Sequence, residues 1–432
     1  SPKDLLAHDA EFKKEIIKIT DGVYSAVGYG PANSIMVEGT DGVIIIDTLI
    51  NTDEAKEVVA AFRKITTKPV KAVIYTHSHP DHTGGTPIFI EGKEVPIYAH
   101  SSMASTVDHL LSEFRPILSS RAYRMYGVGL TKAERINIGI GPEIDLDEHK
   151  EVTLTKPNKL FDTVMTDTVA GVTFTLMHQP GETDDQILVW LPDKRVLAPG
   201  DNIYRTFPNL YTIRGTTYRD VKAWAASLDL MRSLKPAFLA PSHTRPIAGE
   251  QLVMDTLTDY RDAIRYVYEQ TIRRINQGWT VDQIAADIKL PAHLAQSPFL
   301  QEFYGTAQWS ARSIAVGNMG WFDGNPSQLR RYAPVEEAKR FAALAGGNDK
   351  LDDAISSALK AKDYQWVLQL TDYALAINPD NNTAKTARID ALFAKGNAES
   401  NPNARHWYLI AAHELKSGQK VPSNLGKADP SI

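Results

Sequence analysis

Three histidines and one aspartate fall within six residues of the segment Thr76-His77-Ser78-His79-Pro80-Asp81-His82-Thr83-Gly84-Gly85. Neutral imidazole nitrogen and carboxylate oxygen are both zinc donors. His77 and His79 alternate, so on extended backbone they face the same way. Asp81 and His82 are adjacent and point apart, which makes them available to a second ion nearby. The segment has donors for two metal ions but too few to saturate both, so further ligands must come from the ends of other strands. The bland alternative is a polar loop with coincidental histidines. Four donors at this density, after an apolar run and before a Gly-Gly turn, weigh against it.

Apolar runs and turn residues on either side of this segment outline the fold that carries it. Ala72-Val73-Ile74-Tyr75 reads as a short apolar strand running straight into it. Gly39-Thr40-Asp41-Gly42 separates Ser34–Glu38 from residues 43–47 as in a hairpin. Residues 55–63 have the spacing of an amphipathic helix. Strands are predicted over Val172–His178, 186–191 and 238–240, with a helix over 219–233. This alternation predicts an α/β layered domain over 19–250, preceded by a charged N-terminal arm at 1–18. Inside it, the long stretch 101–159 predicts a lid or insertion. From 251 to 420 the periodicity is helical, with helices at 252–277, 280–288, 335–345, 350–361, 363–377, 381–395 and 404–417. One pair, closed by Asn378-Pro379-Asp380-Asn381, is tetratricopeptide-like. Residues 421–432 read as a tail.

Composition narrows the function classes. A length of 432 residues implies two or three domains. The absence of cysteine excludes disulfides, Fe–S clusters, thiolate zinc fingers and cysteine nucleophiles. A net charge of -5 argues against a protein that tracks nucleic-acid phosphates. No apolar run approaches the roughly 20 residues of a membrane span. Gly127-Val128-Gly129 and Gly139-Ile140-Gly141 lack the third glycine of a dinucleotide loop. No leader is recognisable from Ser1 onward. Since one can be removed before that point, the expectation is a periplasmic or secreted protein, otherwise a cytoplasmic one.

His77-x-His79-x-Asp81-His82, preceded by Val43-Ile44-Ile45-Ile46-Asp47, resembles the signature of the metallo-β-lactamase superfamily. The resemblance implies an αββα sandwich with the metal site at one edge, and three further ligands in chain order. His178-Gln179-Pro180-Gly181-Glu182 lies where most relatives carry Pro-Gly-His, so Glu182 stands at the ligand position. Pro199-Gly200-Asp201 offers the bridging carboxylate, and Ser242-His243 the last histidine. Glutamate at the third position narrows the likeness to the zinc-dependent alkylsulfatases. Asn209-Leu210-Tyr211-Thr212-Ile213-Arg214-Gly215, Gly320-Trp321-Phe322-Asp323-Gly324-Asn325-Pro326 and Arg405-His406-Trp407-Tyr408-Leu409 are similar to that family's motifs. They extend the likeness from about residue 17 to 417.

The likeness implies two Zn2+ ions per chain. His77, His79 and Glu182 would hold one, Asp81, His82 and His243 the other, with Asp201 between them. Such a pair activates a shared water and polarises sulfate oxygens. Asp201, Arg214 and Asn209 are the implied catalytic group: Arg214 grips the sulfate bidentately and Asn209 donates to it. Asp47 is expected to orient the metal loop without touching metal. Met125, Tyr126, Phe207, Leu210 and Tyr211 are candidates for an apolar slot around the alkyl tail. The implied reaction is hydrolysis of an alkyl sulfate ester to alcohol and sulfate by a homodimer, with no nucleic-acid partner. The family usually places glutamate where this chain has Asp201, and its larger members carry a sterol-carrier-like domain after the helical part. The competing readings are a lactonase, thioesterase or phosphodiesterase of the same fold, and a non-catalytic helical-repeat interaction protein.

Overall fold

A computed structural model describes residues 2–108, 113–144 and 154–420. Among them, thirteen strands form two sheets. The first sheet takes its strands in chain order: β1 (Glu15–Thr20), β2 (Val23–Val27), β3 (Ser34–Glu38), β4 (Val43–Ile46), β5 (Val70–Ile74), β6 (Ile97–His100) and β7 (Lys159–Phe161). β1 to β4 are antiparallel, and β4 to β7 run parallel. The second sheet contains β8 (Val164–Val169), β9 (Val172–His178), β10 (Ile187–Leu191), β11 (Val196–Ala198), β12 (Phe238–Leu239) and β13 (Ile247–Ala248). β11 and β12 are its one parallel pair among the described residues.

Side-chain alternation explains how the sheets stack. Ile44 and Ile46 of β4 and Ala72 and Ile74 of β5 point one way, into a core shared with Phe174 and Leu176 of β9 and Ile187 and Val189 of β10. Val43, Ile45 and Val73 point the other way, onto Ala55, Val58 and Phe62 of the helix Thr52–Phe62. On the far side, Leu188 and Leu197 pack against Trp224 and Leu228 of Val221–Ser233 and Leu257 and Ile264 of Glu250–Asn276. Strands covered on both faces lose the apolar–polar alternation, which is why Val-Ile-Ile-Ile reads as an uninterrupted run. The expected αββα sandwich is the result.

Beyond it, an all-α part follows, including Pro334–Ala345, Asn348–Lys360, Tyr364–Ile377, Asn382–Ala398 and Pro402–Ser417, each within three residues of the boundaries expected from periodicity. Their buried faces form a separate core around Leu351, Ile355, Val367, Leu370 and Leu392. Differences from expectation are local. β1 begins at Glu15, inside the stretch expected to be an arm, and helix Lys3–His8 precedes it. The 101–159 insertion contains the helix Arg115–Tyr126, and the expected lid also covers 109–112 and 145–153, which lie outside the described residues, as does the expected tail at 421–432. His406, from Pro402–Ser417, is buried with its Nδ1 2.8 Å from Met125 O and so pins the insertion to the helical part.

Candidate metal centre

Each expected metal donor lies in a connecting segment, loop or short helix, that follows a strand at the same end of the sandwich. His77 and His79 follow β5, Asp81 and His82 open the short helix Pro80–Thr83, Glu182 lies between β9 and β10, Asp201 follows β11, and His243 follows β12. The turn after the short helix is possible only without side chains. A Cβ on Gly84 would lie 1.9 Å from Ile50 O, so glycine lets the metal loop press against the segment after β4.

Asp47 is the hub of this end. It leaves β4 in a left-handed conformation (φ 59°), which aspartate tolerates better than most residues. Its Oδ1 accepts from Thr76 N at 2.8 Å; its Oδ2 accepts from Thr76 Oγ1 at 2.8 Å, Ser242 Oγ at 2.7 Å and His82 Nδ1 at 2.8 Å. One carboxylate therefore ties together the ends of β4, β5 and β12.

These bonds also fix imidazole orientation. A carboxylate only accepts, so His82 Nδ1 carries hydrogen and Nε2 turns toward the other donors. The Thr76 hydroxyl hydrogen goes to Asp47, so its oxygen accepts from His77 Nδ1 at 3.1 Å. His243 Nδ1 donates to Pro31 O at 2.7 Å. Three imidazoles are thus held by Nδ1 with Nε2 presented inward, the arrangement that metal-binding histidines use.

Three groups of donors converge to within 4.8 Å: His77, His82 and Asp201; Asp81, His82 and His243; His79, Glu182 and Asp201. Asp201 Oδ2 is 3.1 Å from His243 Nε2, 3.5 Å from His82 Nε2 and 3.6 Å from His77 Nε2. Asp81 Oδ2 is 3.5 Å from both His82 Nε2 and His243 Nε2. All seven residues expected as ligands are brought together, with Asp201 central. The set fits divalent metal: His82 Nε2 and Asp201 Oδ1 are buried without a hydrogen-bond partner, a rare condition for polar atoms and one that a cation relieves. The electrostatics divide the histidines: burial alone would lower His82 and His243, but the Asp201 and Asp81 carboxylates outweigh it and raise both imidazoles, so a bound cation would have to displace their protons. Burial pushes the His77 imidazole down to about 4, leaving it a neutral donor. Burial alone would raise Asp201, but His243, His82 and His77 outweigh it and hold the carboxyl well below the usual range.

Arg214 lies beside this cluster, its Nη2 3.4 Å from His79 Nε2. Tyr126, Tyr304 and Glu182 surround the guanidinium. The Tyr126 and Tyr304 hydroxyls are 3.1 Å apart, and burial raises the pKa of both, so they remain protonated donors. Asn209 is buried with neither side-chain amide atom partnered, while its backbone N–H donates to Tyr204 OH at 2.8 Å. The expected apolar slot fares worse. Met125, Phe207 and Leu210 are fully buried core residues already packed against Tyr204, Tyr304 or Trp224, so they are not free to line it.

Several contributors escape the sequence pattern. Asn202 Oδ1 accepts from Glu182 N at 3.1 Å, and the space a Cβ on Gly181 would need is taken by that same Oδ1, 2.0 Å away. Tyr204 OH lies 3.4 Å from Glu182 Oε2, and Arg219 Nη1 lies 2.6 Å from Glu182 Oε1. No spacing rule exposes these. Only the Pro-Gly before Glu182 hints at a tight approach.

Comparison with known proteins agrees with this architecture. Residues 27–243 match the metallo-beta-lactamase superfamily, and residues 280–418 match the family described as alkyl sulfatase dimerisation. The chain is 38% identical over 390 residues to a linear primary-alkylsulfatase of Pseudomonas sp. (strain ATCC 19151), covering 88% of this chain and 73% of that one. It is 30% identical over 427 residues to the alkyl/aryl-sulfatase BDS1 of Saccharomyces cerevisiae, covering 95% and 65%. The solved structure of the stereoselective inverting sec-alkylsulfatase Pisa1 from Pseudomonas sp. superposes with a TM-score of 0.90 at 28% identity, covering 96% of this chain and 68% of that one. The chain therefore belongs to the alkylsulfatase family of the metallo-beta-lactamase superfamily.

Proposed function

We propose that this protein hydrolyses alkyl sulfate esters to alcohol and inorganic sulfate at a site holding two zinc ions. The observation that carries the reading is the convergence of seven imidazole and carboxylate donors beside a partly buried cluster of anion-binding groups, namely Arg214, the unpartnered amide of Asn209 and the paired hydroxyls of Tyr126 and Tyr304. We assign His77, His79 and Glu182 to one ion, Asp81, His82 and His243 to the other, and Asp201 between them. Zinc, when bound, supplies activated water at neutral pH and polarises the sulfate oxygens.

The remaining work falls to the chain. Arg214 keeps its charge at any working pH and matches two sulfate oxygens with its planar fork. Asn209 donates to another oxygen without adding charge. Burial keeps both tyrosine hydroxyls protonated; one donates to the other, which leaves the pair one hydrogen to donate to the sulfate. Asp47 holds His82, Thr76 and Ser242 so that the donors are in place before substrate arrives.

We also assign a second copy of this chain as the partner. The family matched over 280–418 is described by dimerisation, and exposed apolar side chains concentrate in that part, including Val316, Met319, Trp321, Leu329, Tyr332 and Leu344. No helix among the described residues is long and apolar enough to cross a membrane.

Zinc-loaded protein incubated with alkyl sulfates of graded chain length tests the reading. Release of inorganic sulfate is expected. Absence of sulfate at every chain length, with turnover of a lactone, thioester or phosphodiester, would assign the site to another hydrolase class.

A further inference from the structure

Arg219 lies in the connection between the loop carrying Asn209 and Arg214 and the helix Val221–Ser233, and it is only 4% exposed. Its Nη1 is 2.6 Å from Glu182 Oε1 and also donates to the backbone oxygen of Asn209. One nitrogen thus joins the carboxylate of a proposed zinc ligand to the backbone of a proposed sulfate contact. With Oε1 engaged, Glu182 Oε2 accepts from the Tyr204 hydroxyl at 3.4 Å and is the oxygen left for metal, in a carboxylate grouped with His79 and Asp201. That same hydroxyl accepts from Asn209 N at 2.8 Å, so Glu182 and Asn209 are linked twice, through Arg219 and through Tyr204.

The base of the arginine is itself held. Asp220 caps the helix by accepting from Ala223 N at 3.0 Å, and Trp224 Nε1 donates to Asn202 O at 2.9 Å. Asn202 in turn accepts from Glu182 N at 3.1 Å. The start of this helix therefore supports Glu182 by its backbone and by its side chain. An ion pair this deep contributes little net stability, because desolvating both charges offsets their attraction. Its effect is to remove rotamer freedom from Glu182.

We propose that Arg219 is a positioning residue that locks Glu182 in its metal-facing rotamer and couples it to Asn209, so that metal capture and sulfate binding are set by one side chain. The inference rests on the assignments of Glu182 and Asn209 above. It is tested on the zinc-loaded full chain by chelator competition, and by KM and kcat for an alkyl sulfate at saturating zinc, for the parent, Arg219→Met, Arg219→Gln and Arg219→Lys. Arg219→Met and Arg219→Gln should bind one zinc at least about tenfold more weakly, and should raise KM even when zinc is saturating. Arg219→Lys, a cation of nearly the same reach, should recover most of both losses. Folded Met and Gln variants with parental zinc affinity and KM would overturn the proposal. So would failure of both to fold while Lys folds, because the arginine would then serve the fold alone. If the parent binds zinc but releases no sulfate, the substrate assignment fails, and the chelator competition still decides the role of Arg219.

Discussion

Asp47 Oδ2 accepts a hydrogen bond from His82 Nδ1 at 2.8 Å, and the far nitrogen of the same ring, Nε2, lies 3.5 Å from both Asp81 and Asp201. The carboxylate fixes which nitrogen carries hydrogen and which faces the proposed metal. Asp47→Ala should therefore weaken zinc binding by roughly 10- to 100-fold, the usual effect of removing such a partner. Chelator competition checks this. Unchanged affinity would show that His82 does not need its anchor.

Arg214 is proposed to bind substrate and not metal. Arg214→Ala should leave zinc content unchanged and lower kcat/KM for an alkyl sulfate by roughly 10- to 100-fold, the equivalent of one or two charge-assisted hydrogen bonds. Metal analysis and steady-state kinetics on the same preparation read both quantities. Loss of zinc in this variant would move Arg214 from sulfate to the metal shell.

Asp185 gives a pH signature that does not involve metal ligands. Its Oδ1 accepts from Ser78 Oγ at 3.1 Å, its Oδ2 is buried without a partner, and burial pushes the carboxyl from 3.8 up to about 6. A raised folded-state pKa means that the fold prefers the protonated acid. The contribution to stability is fully present below about 4 and is lost as pH rises through about 6. Asp185→Asn, neutral throughout, should match the parent near pH 4 and be more stable at pH 7 to 8, by up to roughly 3 kcal/mol. Thermal melts across that range provide the check, and a difference that does not vary with pH would contradict it.

The proposed contact between copies centres on Trp321, 69% exposed, and Leu344, 87% exposed. The parent should sediment as a dimer, and Trp321→Glu with Leu344→Glu should shift it toward monomer while preserving the melt of the catalytic part. A parent that is monomeric at micromolar concentration would remove the assignment.

Much of this site is legible in the amino-acid sequence. Four donors are nearly consecutive, they follow an apolar strand, and a strand buried on both faces announces itself as Ile-Ile-Ile. Glu182, Asp201 and His243 are legible only through family resemblance, since residues 105 to 166 positions beyond His77 share no local pattern with it. Arg219, Tyr204 and the Tyr126–Tyr304 pair are not legible. Their meaning lies in contacts between distant segments, such as the 178 positions separating the two tyrosines. β1 is partly hidden because an edge strand carries charges, here Glu15 and Lys18, that blur the apolar alternation. β8 is hidden for a related reason: Val164-Met165-Thr166-Asp167-Thr168-Val169 has one face in solvent and few apolar residues.

The proposed chemistry requires a pair of zinc ions caged by His77, His79, Asp81, His82, Glu182, Asp201 and His243. Anomalous diffraction at the zinc edge from crystals of the zinc-loaded protein tests it most directly. Two peaks are expected within coordination distance of these side chains, with Asp201 reaching both. A single peak or none, with Glu182 or His243 turned away from the histidine loop, would contradict it.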